Sequence, residues 1–295
     1  MQTIDERILS TVAQQGWIDR SGQTIQSWVR GLFESSEGSR RVKDFLHGTW
    51  LAHPVHAAVT DVAIGAWTTA QVMDVVDVAV GHRLSGAASM SIAVGLGGSF
   101  ASAASGLADW VDTSGEQRRV GLIHALLNLV AATLYSASLL NRLAGHRSTG
   151  KLLSTAGFST VLVSSYLGGD LAYRLGTQVD RNAWTFDLRE FAPAMRENDL
   201  LPDKPTRVEV NGVPIMLVRR GVEIYAMSDT CSHVGCSLAD GRLEGDTIVC
   251  NCHGSTFRLP DGMVVHGPSA YSQPSYEVRI VNGQIEVRSA MPVVV

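Results

Sequence analysis

The sequence predicts an α + β multidomain protein in which a four-helix transmembrane bundle precedes an all-β domain. Three stretches between residues 84 and 169 lack any charged residue. Each approaches or exceeds the roughly 20 residues that a helix needs to cross a bilayer. After residue 185 the chain changes to short alternating segments split by Asn-Gly pairs, which indicate β-hairpins. We therefore predict an amphipathic segment over 1–45, a four-helix membrane domain over 46–180 and a β-domain over 185–295.

The first segment shows apolar residues at helical spacing. These residues are Ile4, Ile8, Leu9 and Val12, followed by Ile25, Trp28, Val29 and Leu32. Such spacing predicts amphipathic helices that lie on a membrane surface or cap a bundle. The whole chain is 45% hydrophobic and 18% charged with a net charge of −4. A nucleic-acid-binding protein usually carries an excess of basic residues, so we expect no nucleic acid as a partner. The apolar composition instead indicates a lipid bilayer.

The four membrane helices differ in how clearly the sequence indicates them. The first, from about residue 53 to 80, is interrupted by Asp61, Asp74 and Asp77. Carboxylates within a membrane usually face a bundle interior, so we still predict a span. The second is rich in Gly, Ala and Ser, which favours close packing at the centre. A soluble helical bundle with an unusually apolar core remains the alternative.

The distribution of Lys and Arg predicts the orientation. With four spans, the N-terminal segment, the second loop and the β-domain share one side of the membrane. That side carries Arg30, Arg40, Arg41, Lys43, Arg118, Arg119, Arg174 and Arg181, and the other carries Arg83, Arg142, Arg147 and Lys151. Because basic residues favour the cytoplasmic side, we expect a multi-pass protein of the bacterial inner membrane with a cytoplasmic β-domain. A faint resemblance of the sequence at Ser39 to a twin-arginine export signal favours the opposite side.

Polar residues gather at the helix ends that share the membrane face of the β-domain. These residues are His53, His56, Asp61, Asp109, His124, Asn128, Asp170 and Tyr173. Three interpretations remain open. His124 and either His53 or His56 could ligate a b-type haem, a quinone could bind by hydrogen bonds, or the cluster could be structural, its groups satisfying one another.

Two boxes in the β-domain hold all four cysteines of the chain. CSHVGC begins at Cys231 and CNCHGS begins at Cys250. The first Cys and the His of each box are the candidate ligands, Cys231 with His233 and Cys250 with His253. This set of two thiolates and two imidazoles suits a [2Fe–2S] cluster. A structural zinc site is the alternative, but zinc ligands usually pair Cys with Cys and His with His.

Over about residues 185–290 these boxes resemble Rieske [2Fe–2S] proteins of the cytochrome bc type. The resemblance implies that Cys231 and Cys250 hold one iron, and that His233 and His253 hold the other as exposed ligands that pass electrons. It also implies a disulfide between Cys236 and Cys252.

The same resemblance assigns roles around the cluster. In the family, the serine that follows a His-Gly pair donates to a bridging sulfide and so raises the reduction potential. In this sequence Ser255 follows His253 and Gly254. Phe257 stands where the bc-type proteins have a tyrosine that donates to a cysteine sulfur, which predicts a lower potential. Pro268 lies in a proline-containing loop that shields the cluster.

Residues 45–175 resemble a family of bacterial four-helix membrane domains of unknown function. The strings HGTWLAHPVHAAVTDVAIGAW and LGGDLAYRLG carry this resemblance. It implies the helical fold and an association with Rieske domains, and it implies no activity.

The sequence therefore predicts a membrane-anchored Rieske electron carrier. We expect it to pass single electrons between redox proteins or quinone, rather than to act as a stand-alone enzyme. The alternative is a quinone- or haem-interacting subunit of a membrane oxidoreductase. A Rieske oxygenase is not expected, because its mononuclear iron needs two further His and a carboxylate, and no His follows His266.

Overall fold

The chain forms two compact units. The computed structural model describes residues 15–79, 83–185 and 187–290, so the pattern at Ile4, Ile8, Leu9 and Val12 lies outside the described residues. One unit is helical and contains Pro54–Thr177 and the residues up to Leu46. The other begins at Gln178 and also includes His47–His53, which the sequence places in the membrane domain.

The helical unit contains two short and four long helices among the described residues. These are α1 (Gly16–Phe33), α2 (Glu37–His47), α3 (Val55–Ala79), α4 (Ser85–Trp110), α5 (Gly115–Leu143) and α6 (Arg147–Tyr173). The long helices form two hairpins, α3 with α4 and α5 with α6. Packing is extensive within each hairpin and more limited between the hairpins.

The prediction of four membrane-spanning helices is not confirmed. Within the described part of the chain, α4 and α5 are long and apolar enough to cross a membrane. Charged residues interrupt the described parts of the other two long helices. Three aspartates interrupt α3, and α6 begins with Arg147 and Lys151 and is rich in Ser and Thr.

The two hairpins repeat the same packing arrangement. Trp67 and His56 of α3 correspond to Tyr135 and His124 of α5, with the same separation in both helices. Gly95 lies against the Trp67 ring, Gly157 against Tyr135, Gly106 against His56 and Gly168 against His124. The Trp67 and Tyr135 rings stack with centroids 4.2 Å apart. Trp67 and Tyr135 are equivalent residues, and their contact indicates a pseudo-two-fold axis that passes between them. The two hairpins are therefore pseudosymmetric repeats.

Two ion pairs close the bundle at the end far from the histidines. Arg142 donates to both carboxylate oxygens of Asp74, with one of these bonds at 2.9 Å. The Lys151 ammonium lies 2.7 Å from a carboxylate oxygen of Asp77. Both carboxylates are buried, as expected for acidic residues that face a bundle interior.

Helix α1 caps the other end of the bundle. The Gln26 amide donates to the Trp110 carbonyl at 2.7 Å, and the Arg30 guanidinium donates to the Val111 carbonyl at 2.8 Å. The opposite face of α1 exposes Trp17 and Trp28, the latter 67% exposed. The described part of the N-terminal segment thus combines a capping face with an apolar surface.

The second unit contains two antiparallel sheets. The six-stranded sheet has the order β1 (Ala192–Arg196), β10 (Gln284–Ser289), β9 (Ser275–Val281), β4 (Glu223–Ser228), β3 (Val213–Arg220) and β2 (Thr206–Val210). The four-stranded sheet has the order β5 (Arg242–Glu244), β6 (Thr247–Val249), β7 (Thr256–Arg258) and β8 (Val264–His266). The predicted Asn-Gly hairpins are confirmed, because Asn211, Gly212, Asn282 and Gly283 all have positive φ, as a type I′ turn requires.

Strand β3 lies between two hydrophobic cores. Ile215 and Leu217 enter the core of the six-stranded sheet. Met216 enters the second core, where it packs with Phe257 of the smaller sheet. This alternation follows the two-residue period of a strand. The second core also contains two buried cysteines, which positions the candidate site.

Candidate metal centre

Two loops of the β-unit carry the predicted ligands. The first joins β4 to β5 and contains Cys231 and His233, and the second joins β6 to β7 and contains Cys250 and His253. Each loop therefore presents one thiol and one imidazole from the end of a strand.

The backbone follows the same path in both loops. The Cys231 N–H donates to the Cys236 carbonyl at 2.8 Å, and the Cys250 N–H donates to the Ser255 carbonyl at 2.9 Å. Gly235 and Gly254, each four residues after the ligand cysteine, close these loops with bonds back to its carbonyl. Both glycines have φ near +85°, a conformation that side chains rarely adopt. Two equivalent turns thus hold the two cysteines.

The four donors meet in two pairs, thiol with thiol and imidazole with imidazole. The Cys231 and Cys250 thiols are buried, and the His233 and His253 rings meet edge to face with centroids 5.0 Å apart. Backbone N–H groups also donate to each sulfur, including those of the two histidines. Such donors favour anionic thiolates. The Cys231 thiol donates to Cys250 and lowers the pKa of Cys250. The same bond and burial raise the pKa of Cys231.

The expectation that both histidines are exposed is wrong for one of them. His233 is 7% exposed, whereas His253 is half-buried. The edge-to-face packing of the two rings covers part of each surface.

The predicted disulfide joins Cys236 to Cys252. The sulfurs of Cys236, Cys250 and Cys252 lie within 4.8 Å of one another. Since two of these sulfurs are bonded to each other, this group offers a metal only Cys250. The remaining donor set is two thiols and two imidazoles.

A third loop packs beside the ligand loops. The Ser269 N–H donates to Ser255 Oγ at 3.1 Å, and both serines are buried. The Ser255 hydroxyl proton therefore remains available for another acceptor. Pro268 is buried in the same loop, and the ring of His47 lies against the neighbouring Gly267.

Family comparison assigns this part of the chain. Residues 190–277 match the Rieske [2Fe-2S] domain. The chain belongs to the Rieske [2Fe–2S] family. The helical unit matches a second family over residues 52–181, described as "Predicted membrane protein (DUF2231)". The protein is thus a Rieske domain fused to a DUF2231 domain, as the two sequence resemblances imply.

Two sequence relatives support the Rieske assignment. Ferredoxin CarAc of Metapseudomonas resinovorans is 35% identical over 30% of this chain and 85% of its own length. The cytochrome b6-f complex iron-sulfur subunit of Chlorobaculum tepidum is 33% identical over 28% of this chain, and the match spans 44% of that protein. Among solved structures, the ferredoxin of carbazole 1,9a-dioxygenase from Nocardioides aromaticivorans IC177 is 28% identical over 34% of this chain and 97% of its own, with a TM-score of 0.32.

The donor set fits the cluster that the family implies. Cys231 and Cys250 would hold one iron, and His233 and His253 the other. The cluster supplies a one-electron redox centre, and its imidazole ligands raise the potential above that of an all-cysteine cluster. The N–H groups that donate to the sulfurs stabilise the added electron.

The polar cluster of the helical unit is only partly assembled. The His56 and His124 rings lie 6.4 Å apart, and the Asn128 amide is 3.0 Å from His124 Nε2. Asp109 is buried at the end of α4. The structure therefore places His56 beside His124.

Two of the predicted members in the helical unit, Asp61 and Tyr173, lie outside that cluster, and His53 belongs to the other unit. Asp61 is exposed on α3. Asp61 follows His56 by five residues, and only residues three or four apart share a helix face. Tyr173 is 94% exposed at the last residue of α6.

Asp170 is engaged in an ion pair. The Arg174 guanidinium donates to its carboxylate at 2.6 Å and to the Glu116 carboxylate at 2.8 Å. These two carboxylates raise the pKa of Arg174. Asp170 thus fixes the end of α6.

Several residues that support the cluster loops have no signal in the sequence. The Arg181 N–H donates to the Ser232 carbonyl at 3.1 Å, and the Asn182 amide donates to the Thr230 carbonyl at 2.9 Å. Ser232 also shares a 2.7 Å hydrogen bond with Ser269. These contacts join residues far apart in sequence, and no local pattern indicates them.

Proposed function

We propose that this protein is a membrane-anchored Rieske electron carrier that passes one electron at a time between membrane-associated redox partners. The observation that carries the proposal is the convergence of two thiols and two imidazoles from two equivalent loops. The DUF2231 match and the two apolar helices support the anchoring.

The relatives indicate the class of partner. The similar proteins include Ferredoxin CarAc, the ferredoxin subunit of an anthranilate 1,2-dioxygenase and the iron-sulfur subunit of a cytochrome b6-f complex, and the last two are named as subunits of larger redox systems. We therefore infer a protein redox partner that docks beside His253. A quinone is the alternative donor or acceptor.

The cluster assignment is tested on the full chain purified in detergent. Dithionite reduction should produce a Rieske-type electron paramagnetic resonance signal. Cys250→Ser should abolish this signal, because the cluster loses one of its two thiolates. His266→Gln is the matched control, since it changes a histidine of the same domain outside the donor set. A wild-type protein without the signal, or an unchanged signal in Cys250→Ser, would contradict the proposal.

The membrane location and orientation are tested in cells. The protein should stay in the membrane fraction after a carbonate wash. A green fluorescent protein fused to the C-terminus should fluoresce, because we place the Rieske domain in the cytoplasm on the excess of basic residues. An active alkaline phosphatase fusion at the same position would contradict that orientation.

A further inference from the structure

The histidines of the helical unit form a symmetric pair. His56 of α3 and His124 of α5 occupy equivalent positions in the two hairpins, and their rings face each other with centroids 6.4 Å apart. The interplanar angle is 82°. The pair therefore lies where the pseudo-two-fold axis passes between the hairpins.

Hydrogen bonds orient the two rings in the same way. His56 Nδ1 lies 2.8 Å from the Ser102 carbonyl oxygen, and His124 Nδ1 lies 2.8 Å from the Ser164 carbonyl oxygen. A carbonyl oxygen only accepts, so each Nδ1 carries the proton and each Nε2 carries a lone pair. Histidines that ligate a metal almost always donate their other ring N–H to such a partner.

Glycines shape the space for both rings. A Cβ atom at Gly106 would lie 2.7 Å from His56 Nδ1, and one at Gly168 would lie 3.1 Å from His124 Cε1. Inside each hairpin the helices thus meet through glycine and serine at this depth. Between the hairpins, the large Trp67 and Tyr135 rings stack about three helical turns away from the histidines.

The spacing selects among possible ligands. Metal–imidazole bonds are about 2 Å long, so two imidazoles on opposite sides of one metal place their nitrogens about 4 Å apart. A centroid separation of 6.4 Å matches this arrangement once both Nε2 atoms turn toward the metal. A quinone ring held end to end between the two imidazoles needs a much longer gap.

A bare metal ion would find few protein ligands between the two histidines. Among the described residues, the only group of three or more His, Cys, Asp and Glu at metal-binding distance is formed by the cysteines of the β-unit. A bare ion between His56 and His124 would therefore have two strong ligands. An iron porphyrin brings four nitrogens of its own and needs two axial ligands from the protein.

We propose that His56 and His124 are the axial ligands of a non-covalently bound haem b between the two hairpins. This inference rests on the proposed electron-transfer function and gives the chain a second one-electron centre. The Asn128 amide now bonds to His124 Nε2 and would give up that hydrogen bond to the iron. Attachment is non-covalent because all four cysteines of the chain lie in the Rieske domain.

The test uses the full chain, expressed with 5-aminolevulinate and purified in detergent. We expect a Soret band that sharpens on dithionite reduction and a haem b product in the pyridine haemochrome assay. His56→Ala and His124→Ala should each lose the haem. His146→Ala is the matched control, since His146 is exposed at the start of α6. Each sample also reports its Rieske signal, which shows whether the chain has folded.

Two further variants separate ligation from folding. His124→Met should keep the haem with altered absorption and spin-state signals, because methionine is also an axial ligand. Gly106→Ala should weaken haem binding, because the added methyl displaces the His56 ring. Gly97→Ala is its control, since a Cβ there meets nothing within 4 Å.

Two outcomes would overturn the haem site. One is a wild-type protein with a full Rieske signal that binds no haem even on titration with hemin. The other is a haem that both alanine variants retain. Either result leaves the electron carrier intact, whereas loss of the Rieske signal from the wild-type protein would refute the proposed function instead.

Discussion

Replacing Phe257 by tyrosine should raise the reduction potential of the cluster. Phe257 is fully buried in β7 and packs in the same core as Cys231 and Cys250. Its ring has no hydroxyl, whereas the bc-type Rieske proteins place a tyrosine at this position that donates to a cysteine sulfur. The variant Phe257→Tyr adds that donor without changing the ring.

The size of the shift follows from the strength of the new bond. A hydrogen bond to a charged acceptor contributes about 1.5–3 kcal/mol. Only the difference between the two redox states moves the potential, and we take this difference as about 1–2 kcal/mol. For a one-electron couple, about 1.4 kcal/mol corresponds to roughly 60 mV. We therefore expect the potential to rise by about 40–90 mV.

The assay is a redox titration of the full chain, followed by electron paramagnetic resonance. Phe257→Leu is the control, because it changes the packing without adding a donor. Ser255→Ala should move the potential the other way, since it removes a buried hydroxyl whose proton is not used by Ser269. An unchanged or lowered potential in a folded Phe257→Tyr protein with an intact signal would refute the reasoning.

Three other perturbations test the rest of the structure. Replacing Cys236 and Cys252 by serine should lower the free energy of unfolding of the cluster-free protein by about 3 kcal/mol in urea titrations. The loss should be smaller with the cluster bound, because the cluster joins the same two loops. Arg142→Met should destabilise the bundle by about 3–5 kcal/mol in thermal melts, and adding Asp74→Leu should recover most of the loss. Fluorescence of Trp28 should be quenched by brominated lipids, and quenching by aqueous iodide instead would contradict a membrane-facing α1.

The cluster ligands could be predicted from sequence because they lie close together in two boxes. Cys231 and His233 share one turn, and Cys250 and His253 share another. The residue types at this spacing specify the metal chemistry, whatever the remainder of the fold. The Asn-Gly hairpins are equally local, since the turn itself requires positive φ.

The polar site of the bundle could be predicted only in part, because it depends on how each helix is rotated. His56 and Asp61 lie near each other in sequence but on different faces of α3. The ion pair between Asp74 and Arg142 joins helices from different hairpins, and only packing reveals it. A signal for the repeat exists in the sequence, since His and a large aromatic ring recur at the same spacing in α3 and α5.

Both halves of the protein build a paired site from repeated elements. In the Rieske domain, two equivalent turns each supply a thiol and an imidazole. In the helical unit, two equivalent hairpins each supply a histidine whose Nδ1 bonds to a serine carbonyl. Repetition brings two identical donors together across a pseudo-two-fold axis without long loops. One local sequence pattern, used twice, is enough to form each site. The matched Nδ1 bonds of His56 and His124 follow from this repetition, because each hairpin places a serine carbonyl at the same position beside its histidine.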